Sequence, residues 1–260
     1  MNKRRGSKPM EQNENDLIVG RQAVKEALEY GLVKKVFLIR DQKGAIIADI
    51  SDAAQQKGIP LVALSRDAFE RLVGDGTAHQ GAAAQAPPYR YFNLEELLRA
   101  AKKDRSPFLI LLDHIHDPQN LGSILRSAGA AGVHGLVIPG ARAAKITPAV
   151  RKVAAGAAER VPVALVGNLH QAITVLKKER FWVYGAEADG RVPYYSLDYR
   201  PPLALVIGSE AAGLSRLVRD SCDETLSIPM PGTGSSLNAA VAAAIIMFTA
   251  VAQREGWLCR

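Results

Sequence analysis

The segment at positions 228–245, IPMPGTGSSLNAAVAAAI, places a glycine-rich loop directly before an alanine-rich helix. Loops of this kind commonly hold phosphates at a helix N-terminus. This loop lacks the Lys that follows the glycines of a Walker loop, and it lacks the third glycine and the early position of a dinucleotide fingerprint. What remains is a set of exposed backbone N–H and C=O groups, which suit the edge of a neutral base such as adenine. Ser236 is predicted to cap the helix, and Asn238 is predicted to reach into the site from the first turn.

A second candidate region is HDPQNLGSILRSAGAAG, which begins with an Asp-Pro turn. Asn120 is predicted to be the N-cap of the helix that carries Arg126. Gly122 and Arg126 share one helix face at i, i+4 spacing, so the guanidinium rises from small neighbours. That setting indicates close approach of a ligand or of another backbone, and an Arg in a tightly packed helix pair is the alternative.

A third candidate region is GSEAAGLS, in which Gly208 and Gly213 bracket Glu210 on a strand-to-helix turn. Glycines at such a turn permit unusual backbone angles and close approach of a ligand. The HIH motif would point His114 and His116 to one face of a strand, which raises the question of a metal. No third ligand is evident, so structural or hydrogen-bonding roles are favoured and no metal site is predicted.

The elements that position these residues are short apolar strands. The candidates follow the runs FLILLDHI, LALVIGSE and TLSIPM, which alternate with helical stretches, as do GLVIPG, VPVALVG and FWVYGAEA. Runs that are apolar on both faces and alternate with helices predict an α/β domain with a mostly parallel sheet, here over 107–260. Ligand sites in such sheets form beyond the carboxyl ends of the strands, which is where the candidates fall.

The N-terminal part has a different organisation. Residues 1–15 are polar and basic and are interpreted as a flexible tail. Residues 16–86 are predicted to form a small α/β domain, with helices in RQAVKEALEYG, AIIADISDAAQQKG and RDAFERLVG and strands in VKKVFLIR, in IPLVALS and after HQG. Residues 87–106 are interpreted as a linker with a short helix, because prolines flank a charged amphipathic stretch.

The composition favours a polyanionic partner. The formal charge is +7 at pH 7 and the pI is about 9.5, and Lys and Arg that meet phosphates release condensed counterions. The longest apolar run, 239–252, is shorter than the roughly 18 residues of a membrane span, and the first residues lead into no apolar signal region. Cys222 and Cys259 show neither disulfide-framework nor zinc spacing. A cytoplasmic protein without a membrane partner is expected.

Three motifs in order, DHIHDPQNLGSILRSA, LVIGSEAAGLS and IPMPGTGSSLNAAVAAAI, resemble the SpoU (TrmH) family of RNA ribose 2'-O-methyltransferases. The N-terminal segment, with VGRQAVKEAL and HQG, resembles the RNA-binding domain of members that modify ribosomal RNA. The resemblance implies a SPOUT fold with a deep trefoil knot, a homodimer, and S-adenosylmethionine bound in the knot. After HQG this chain has AAAQAP where the family has an apolar run, so an irregular last strand is expected there.

Carried over position by position, the resemblance implies cofactor contacts at Gly208, Ile228 and Leu237, with Met230 and Gly232 close by. It implies catalytic-site positions at Asn120, Arg126, Glu210, Ser236 and Asn238. Arg126 is interpreted as a clamp on the adjacent phosphate and a stabiliser of the developing alkoxide, because a guanidinium stays protonated and is a poor base. Glu210 either orients backbone amides in the knot or contacts the substrate, and the structural role is preferred.

The expected reaction is methyl transfer to a ribose 2'-hydroxyl in RNA. The resemblance of the N-terminal domain to that of members that modify ribosomal RNA implies a guanosine of the large-subunit (23S) ribosomal RNA as substrate, and transfer RNA is the alternative. A non-catalytic RNA-binding assembly factor is an alternative of another class, against which Arg126, Glu210 and Asn238 argue. An oxidoreductase or NTPase is disfavoured because neither glycine fingerprint is present.

Overall fold

The computed structural model describes residues 17–74, 79–232 and 236–257. The chain divides into two compact units between Tyr89 and Arg90, and each unit has its own sheet and hydrophobic core. The predicted basic tail, residues 1–15, lies outside the described residues.

A four-stranded mixed sheet with three helices forms the first unit. Its elements are β1 (Leu17–Val19), α1 (Arg21–Glu29), β2 (Lys35–Ile39), α2 (Ala45–Gln56), β3 (Leu61–Leu64), α3 (Arg66–Val73) and β4 (Ala82–Gln85). The strand order is β1-β4-β2-β3, with β2 and β3 parallel and β4 antiparallel to both of its neighbours. The predicted helices and strands of this region are present, and β1 is an additional strand.

The last strand of the first unit is regular, so the expectation of an irregular strand after HQG is wrong. In β4, Ala84 lies opposite Ile18 on one side and opposite Val36 on the other. Its alanines are buried. Both neighbouring strands supply ladder hydrogen bonds, so the low strand preference of alanine does not prevent pairing here.

A seven-stranded sheet forms the second unit, and all of its strand pairs are parallel. Its elements are α4 (Leu94–Ala101), β5 (Phe108–Leu112), α5 (Pro118–Ala130), β6 (Gly135–Pro139), α6 (Pro148–Val153), β7 (Val163–Val166), α7 (Leu169–Lys178), β8 (Trp182–Ala186), β9 (Val192–Pro193), β10 (Leu203–Ile207), α8 (Arg216–Arg219), β11 (Glu224–Ser227) and α9 (Ala239–Arg254). The order is β7-β6-β5-β10-β8-β11-β9. The prediction of a parallel α/β sheet is confirmed.

Helices cover both faces of this sheet, which explains why its strands are apolar throughout. Every residue of β5 and of β10 is buried. On one face, Leu109 and Leu111 join a core with residues of α4, α7 and α8. On the other face, the guanidinium of Arg254 in α9 lies 5.0 Å from the ring centroid of Phe108. Alternate side chains of one strand therefore meet different helix layers.

The segment interpreted as a linker, 87–106, contains α4, and α4 is part of the second unit. Asn93 and Glu96 form a capping box that fixes the start of the helix. Leu97 and Leu98 are buried in the core that contains Leu109. The helix was predicted, but it packs on β6 and β7 and does not connect the units as a free linker would.

None of the described helices is long and apolar enough to cross a membrane. Among them α9 has 16 residues. The trefoil knot that the resemblance implies remains a prediction.

Candidate active site

A cavity of about 380 Å³ opens beyond the carboxyl ends of β8, β10 and β11. Its walls come from the residues after β8, the 208–213 hairpin after β10, the segment that continues β11, and the start of α9. Of the predicted cofactor positions, Gly208, Ile228, Met230 and Leu237 line the cavity, and Gly232 does not. The volume lies in the range of about 300–1,000 Å³ that small-molecule sites occupy, so a nucleoside fits here.

The tight hairpin after β10 forms one wall of the cavity. Its backbone closes through Ser209 and Gly213, which exchange hydrogen bonds of 3.2 and 2.9 Å. A Cβ atom on Gly208 would lie 2.3 Å from the carbonyl carbon of Gly213, and Gly213 has a φ of +63°. Glycine is therefore needed at both positions, for close backbone approach at the first and for a left-handed conformation at the second.

Beside the cavity, three polar side chains from three segments form a cluster of Asn120, Glu210 and Asn238. Glu210 Oε1 accepts hydrogen bonds from Asn120 Nδ2 at 2.8 Å and from Asn238 Nδ2 at 2.6 Å. Asn238 Nδ2 also donates to Asn120 Oδ1 at 2.8 Å. The backbone N–H of Ala239 donates to the same Glu210 oxygen at 3.3 Å. The cluster thus ties α5, the hairpin and the start of α9 together.

The cap of α9 is Asn238, so the predictions of Ser236 as cap and of Asn238 in the first turn are wrong. Asn238 Oδ1 accepts from the backbone N–H groups of Ala240 at 3.0 Å and Val241 at 3.2 Å. Asn ranks among the best capping residues because its short side chain reaches these unpaired donors. Ser236 instead lies in the wall of the cavity.

The prediction of Asn120 as the N-cap of α5 is also wrong. Asp117 is the cap, with its Oδ1 accepting from Gln119 N at 2.9 Å, and Pro118 occupies the first helical position. Asn120 is the third residue of the helix, and its side chain binds Glu210. The Asp-Pro pair was the stronger start signal, because Pro is favoured directly after the cap.

Arg126 lies apart from the cluster on the same helix. Arg126 follows Asn120 by six residues, so it lies about 9 Å further along the helix axis and its side chain leaves the helix at a position turned by about 240°. The residue is exposed and makes no hydrogen bond or ion pair within the described ranges. Gly122, on the same face, packs against α6, where a Cβ atom would lie 2.6 Å from Val153. Gly122 therefore serves helix packing, while the Arg126 side chain itself is exposed and does not lie inside a packed helix pair of this chain.

The two histidines of the HIH motif lie outside the strand. His114 has a φ of +57°, and its Nδ1 is 2.7 Å from Asp113. The ring centroids of His114 and His116 are 6.1 Å apart. Among residues 17–74, 79–232 and 236–257, no three His, Cys, Asp or Glu side chains come together as metal ligands would.

Glu187, directly after β8, also lines the cavity, and the sequence analysis did not select it. The signal was present, because Glu187 follows the apolar run FWVYGA at a strand end, as the selected residues follow theirs.

The parallel sheet, the cavity beyond its carboxyl edge and the adjoining polar cluster define an α/β enzyme that binds a small molecule at its strand ends. The SpoU rRNA Methylase family model matches residues 107–248, and the model for RNA 2'-O ribose methyltransferase substrate binding matches residues 17–92. The chain belongs to the SpoU rRNA methylase family and is an RNA methyltransferase.

Similar proteins cover nearly the whole chain. The 23S rRNA (guanosine-2'-O-)-methyltransferase RlmB of Xylella fastidiosa is 41% identical over 92% of this chain and 97% of its own length. An uncharacterized tRNA/rRNA methyltransferase of Mycolicibacterium vanbaalenii is 39% identical over 94% of this chain and 78% of its own. The SpoU methyltransferase AviRb of Streptomyces viridochromogenes, solved in complex with the cofactor AdoMet, is 28% identical with a TM-score of 0.66, covering 92% of this chain and 90% of AviRb.

Proposed function

We propose that the protein transfers a methyl group from S-adenosylmethionine to the ribose 2'-hydroxyl of a guanosine in 23S ribosomal RNA. The Asn120–Glu210–Asn238 cluster beside a nucleoside-sized cavity carries this proposal. The substrate is taken from the Xylella fastidiosa relative, whose length is matched over 97% by this chain. Because ribosomal RNA is a cytoplasmic substrate, the proposal includes a cytoplasmic location.

The cavity suits S-adenosylmethionine, the cofactor with which AviRb was solved. Ile228 and Leu237 offer apolar surface, and the backbone of the 208–213 hairpin offers polar groups for a base or ribose. We assign cofactor binding to these residues, to Gly208 and Met230 in the walls, and to Gly232 nearby in sequence. When bound, the cofactor supplies an electrophilic methyl group on a sulfonium.

Hydrogen-bonding capacity divides the cluster into structural and substrate-facing groups. Both amide hydrogens of Asn238 and both lone pairs of its oxygen are used within the protein. Glu210 Oε2 and one Nδ2 hydrogen of Asn120 have no partner among the described residues. We assign these two groups to the ribose, with Glu210 Oε2 accepting from a hydroxyl, while Asn238 holds the cluster together. Ser236, in the cavity wall, completes the proposed set.

Arg126 is assigned to the RNA phosphate next to the reacting ribose and to the developing alkoxide. Its direction on α5 takes it away from the cluster of its own chain. We therefore propose a homodimer in which the partner subunit's Arg126 completes the site.

The outer face of α9 supports this homodimer. Val241, Ile245 and Phe248 recur at helical spacing, and Val241 and Phe248 are 47% and 44% exposed. The helix packs against α5, which carries Arg126, on its other side. An apolar stripe on a helix next to the site fits burial against the same stripe of a second copy, because two-fold interfaces are self-complementary.

A methyl-transfer assay tests the proposed function. Labelled S-adenosylmethionine is offered with protein-free 23S ribosomal RNA and with bulk transfer RNA in separate reactions, and the modified nucleotide is mapped. Label at a guanosine 2'-oxygen in ribosomal RNA is expected. Label in transfer RNA alone would refute 23S ribosomal RNA as the substrate. Cofactor binding without label in either RNA would point to an assembling ribosomal particle as the substrate. If the protein neither binds S-adenosylmethionine nor labels any RNA, the proposed enzymatic function is refuted.

Replacing Arg126 by Lys tests the assignment of that residue. The variant is expected to lose most turnover and to keep cofactor binding, because a point charge cannot replace the planar fork on a phosphate. Arg99→Lys, on the exposed face of α4, is the matched control and should retain full activity. Near-normal turnover of Arg126→Lys would contradict the role.

A further inference from the structure

Glu187 is a buried carboxylate at the wall of the cavity. It directly follows β8, and its side chain is only 5% exposed. Its backbone N–H donates to Leu226 O of β11 at 2.9 Å, which fixes the start of the loop that carries it. Burial of a charged group is costly unless the charge is paired and hydrogen-bonded, so its contacts indicate what it does.

The carboxylate joins the hairpin wall to α8. Glu187 Oε1 accepts from the backbone N–H of Leu214 at 2.9 Å and from Arg219 Nε at 3.2 Å. Glu187 Oε2 lies 3.2 Å from Arg219 Nη2. Leu214 is the first residue after the 208–213 hairpin, so this bond holds the base of the hairpin in place.

Gly213 leaves the space that the carboxylate occupies. A Cβ atom at Gly213 would lie 2.5 Å from Glu187 Oε2, so the hairpin and the carboxylate fit each other only with glycine there. The hairpin carries Gly208, which lines the cavity, and Glu210, which forms the cluster. A shift of the hairpin base would therefore move both the cavity wall and the cluster.

Arg219 balances the charge of Glu187 from the solvent side. Its side chain is 43% exposed, and its hydrogen bond with Glu187 raises the pKa of the guanidinium. Asp189 also approaches Arg219, at 3.5 Å, but its side chain is 78% exposed and, among the described residues, makes no hydrogen bond to the hairpin. Glu187 and Asp189 thus both pair with Arg219, but only Glu187 accepts a hydrogen bond from Leu214 at the base of the hairpin.

We propose that Glu187 is a positioning residue that holds the 208–213 hairpin in the geometry that binds the cofactor. The identity of that cofactor rests on the proposed function. Glu187 acts through Leu214 and the hairpin, and it takes no part in the methyl-transfer step.

Variants at Glu187 test the proposal. Glu187→Ala removes the bonds to Leu214 and to Arg219. Glu187→Gln keeps a neutral acceptor for Leu214 but loses the charge pair with Arg219. Asp189→Asn is the matched control. Calorimetry gives the Kd for S-adenosylmethionine, steady-state kinetics give KM for RNA and kcat, and hydrogen exchange reports the amide of Leu214.

Glu187→Ala is expected to raise the Kd for S-adenosylmethionine by about 10- to 100-fold, the range that loss of one hydrogen bond to a charged group produces. KM for RNA should change less than about twofold, Leu214 should exchange faster, and Asp189→Asn should match the unmodified protein. A merely structural role would lower the active fraction and leave the Kd of the folded protein unchanged. That result, or unchanged Leu214 exchange, would overturn the proposal.

The readouts also separate this proposal from the proposed function. If the unmodified protein binds no S-adenosylmethionine, the proposed function fails, while faster Leu214 exchange in Glu187→Ala still supports the positioning role. If Glu187→Ala does not fold, Glu187→Gln gives a smaller effect in the same direction, because a neutral amide oxygen is a weaker acceptor for the Leu214 N–H than a carboxylate. Unchanged Leu214 exchange together with an unchanged Kd in Glu187→Gln would then refute the proposal.

Discussion

Asn238 has two separable roles, and substitution can assign each of them. Its Oδ1 caps α9 through Ala240 and Val241, and its Nδ2 donates to Asn120 and Glu210. Asn238→Ala removes both functions. Asn238→Ser keeps an oxygen that can cap the helix and removes the Nδ2 group that donates to Asn120 and Glu210.

The magnitudes follow from the bonds that are lost. Loss of an N-cap costs about 0.5–2 kcal/mol, and each kcal/mol shifts the Tm of a unit of this size by about 2–4 °C. A hydrogen bond to a charged group contributes about 1.5–3 kcal/mol, and for the exposed Glu210 we take the lower end, which corresponds to about tenfold in turnover. Asn238→Ser should therefore unfold at a higher Tm than Asn238→Ala, because it keeps the cap, and should lose about tenfold in single-turnover methyl transfer.

Asn168 provides the matched control. It caps α7, where its Oδ1 accepts from Gln171 N, and it is not part of the cavity wall. Asn168→Ala should lose stability in thermal unfolding as Asn238→Ala does, while it keeps full turnover. If Asn238→Ser turns over as fast as the unmodified protein, the Nδ2 donors of Asn238 do not support catalysis and the assignment is refuted. An equal loss of turnover in Asn168→Ala would refute it as well.

Three further substitutions test other features. Gly208→Ala should abolish cofactor binding in calorimetry because its Cβ would lie 2.3 Å from the backbone across the hairpin, whereas Gly167→Ala, with open space, should not. Phe248→Glu should yield an inactive monomer in analytical ultracentrifugation, and Leu217→Glu, exposed on α8, should leave the dimer intact; an active monomer would contradict this. Burial raises the pKa of the Cys222 thiol from 9.0 to about 12. The contribution of this shift to the free energy of unfolding is complete below pH 9. It is lost as the pH rises towards 12, by at most about 1.4 kcal/mol per pH unit. In urea unfolding, the free energy of unfolding of Cys222→Ala should therefore decline less steeply over this pH range than that of the unmodified protein.

The sequence predicted the fold well where the strands are long and buried. FLILL and LALVI are uniformly apolar because helices cover both faces of the sheet, so their pattern identifies a parallel α/β sheet. β1 and β9, with three and two residues, are too short to show a pattern. The segment containing α4 was interpreted as a linker because its flanking prolines are typical of a loop. Its apolar helix face is equally typical of a core helix, and α4 packs in the core of the second unit.

The sequence selected three residues that the structure brings together, but it did not predict their bonds. Asn120, Glu210 and Asn238 follow strand ends, so the rule that ligands bind there selected them. Their hydrogen bonds depend on three segments meeting in space, which no spacing along the chain encodes. Glu187 also follows a strand end and could have been selected by that rule, but its bond to Leu214, 27 residues away, could not have been predicted.

The bonds of the polar cluster also determine how the second unit folds. The pair Asn120–Glu210 spans 90 residues and the pair Asn120–Asn238 spans 118. Chains dominated by such distant contacts fold slowly, because the entropy of closing long loops is lost before the contacts form. Secondary structure should therefore return early during refolding, whereas methyl-transfer activity should return only once these distant pairs have formed.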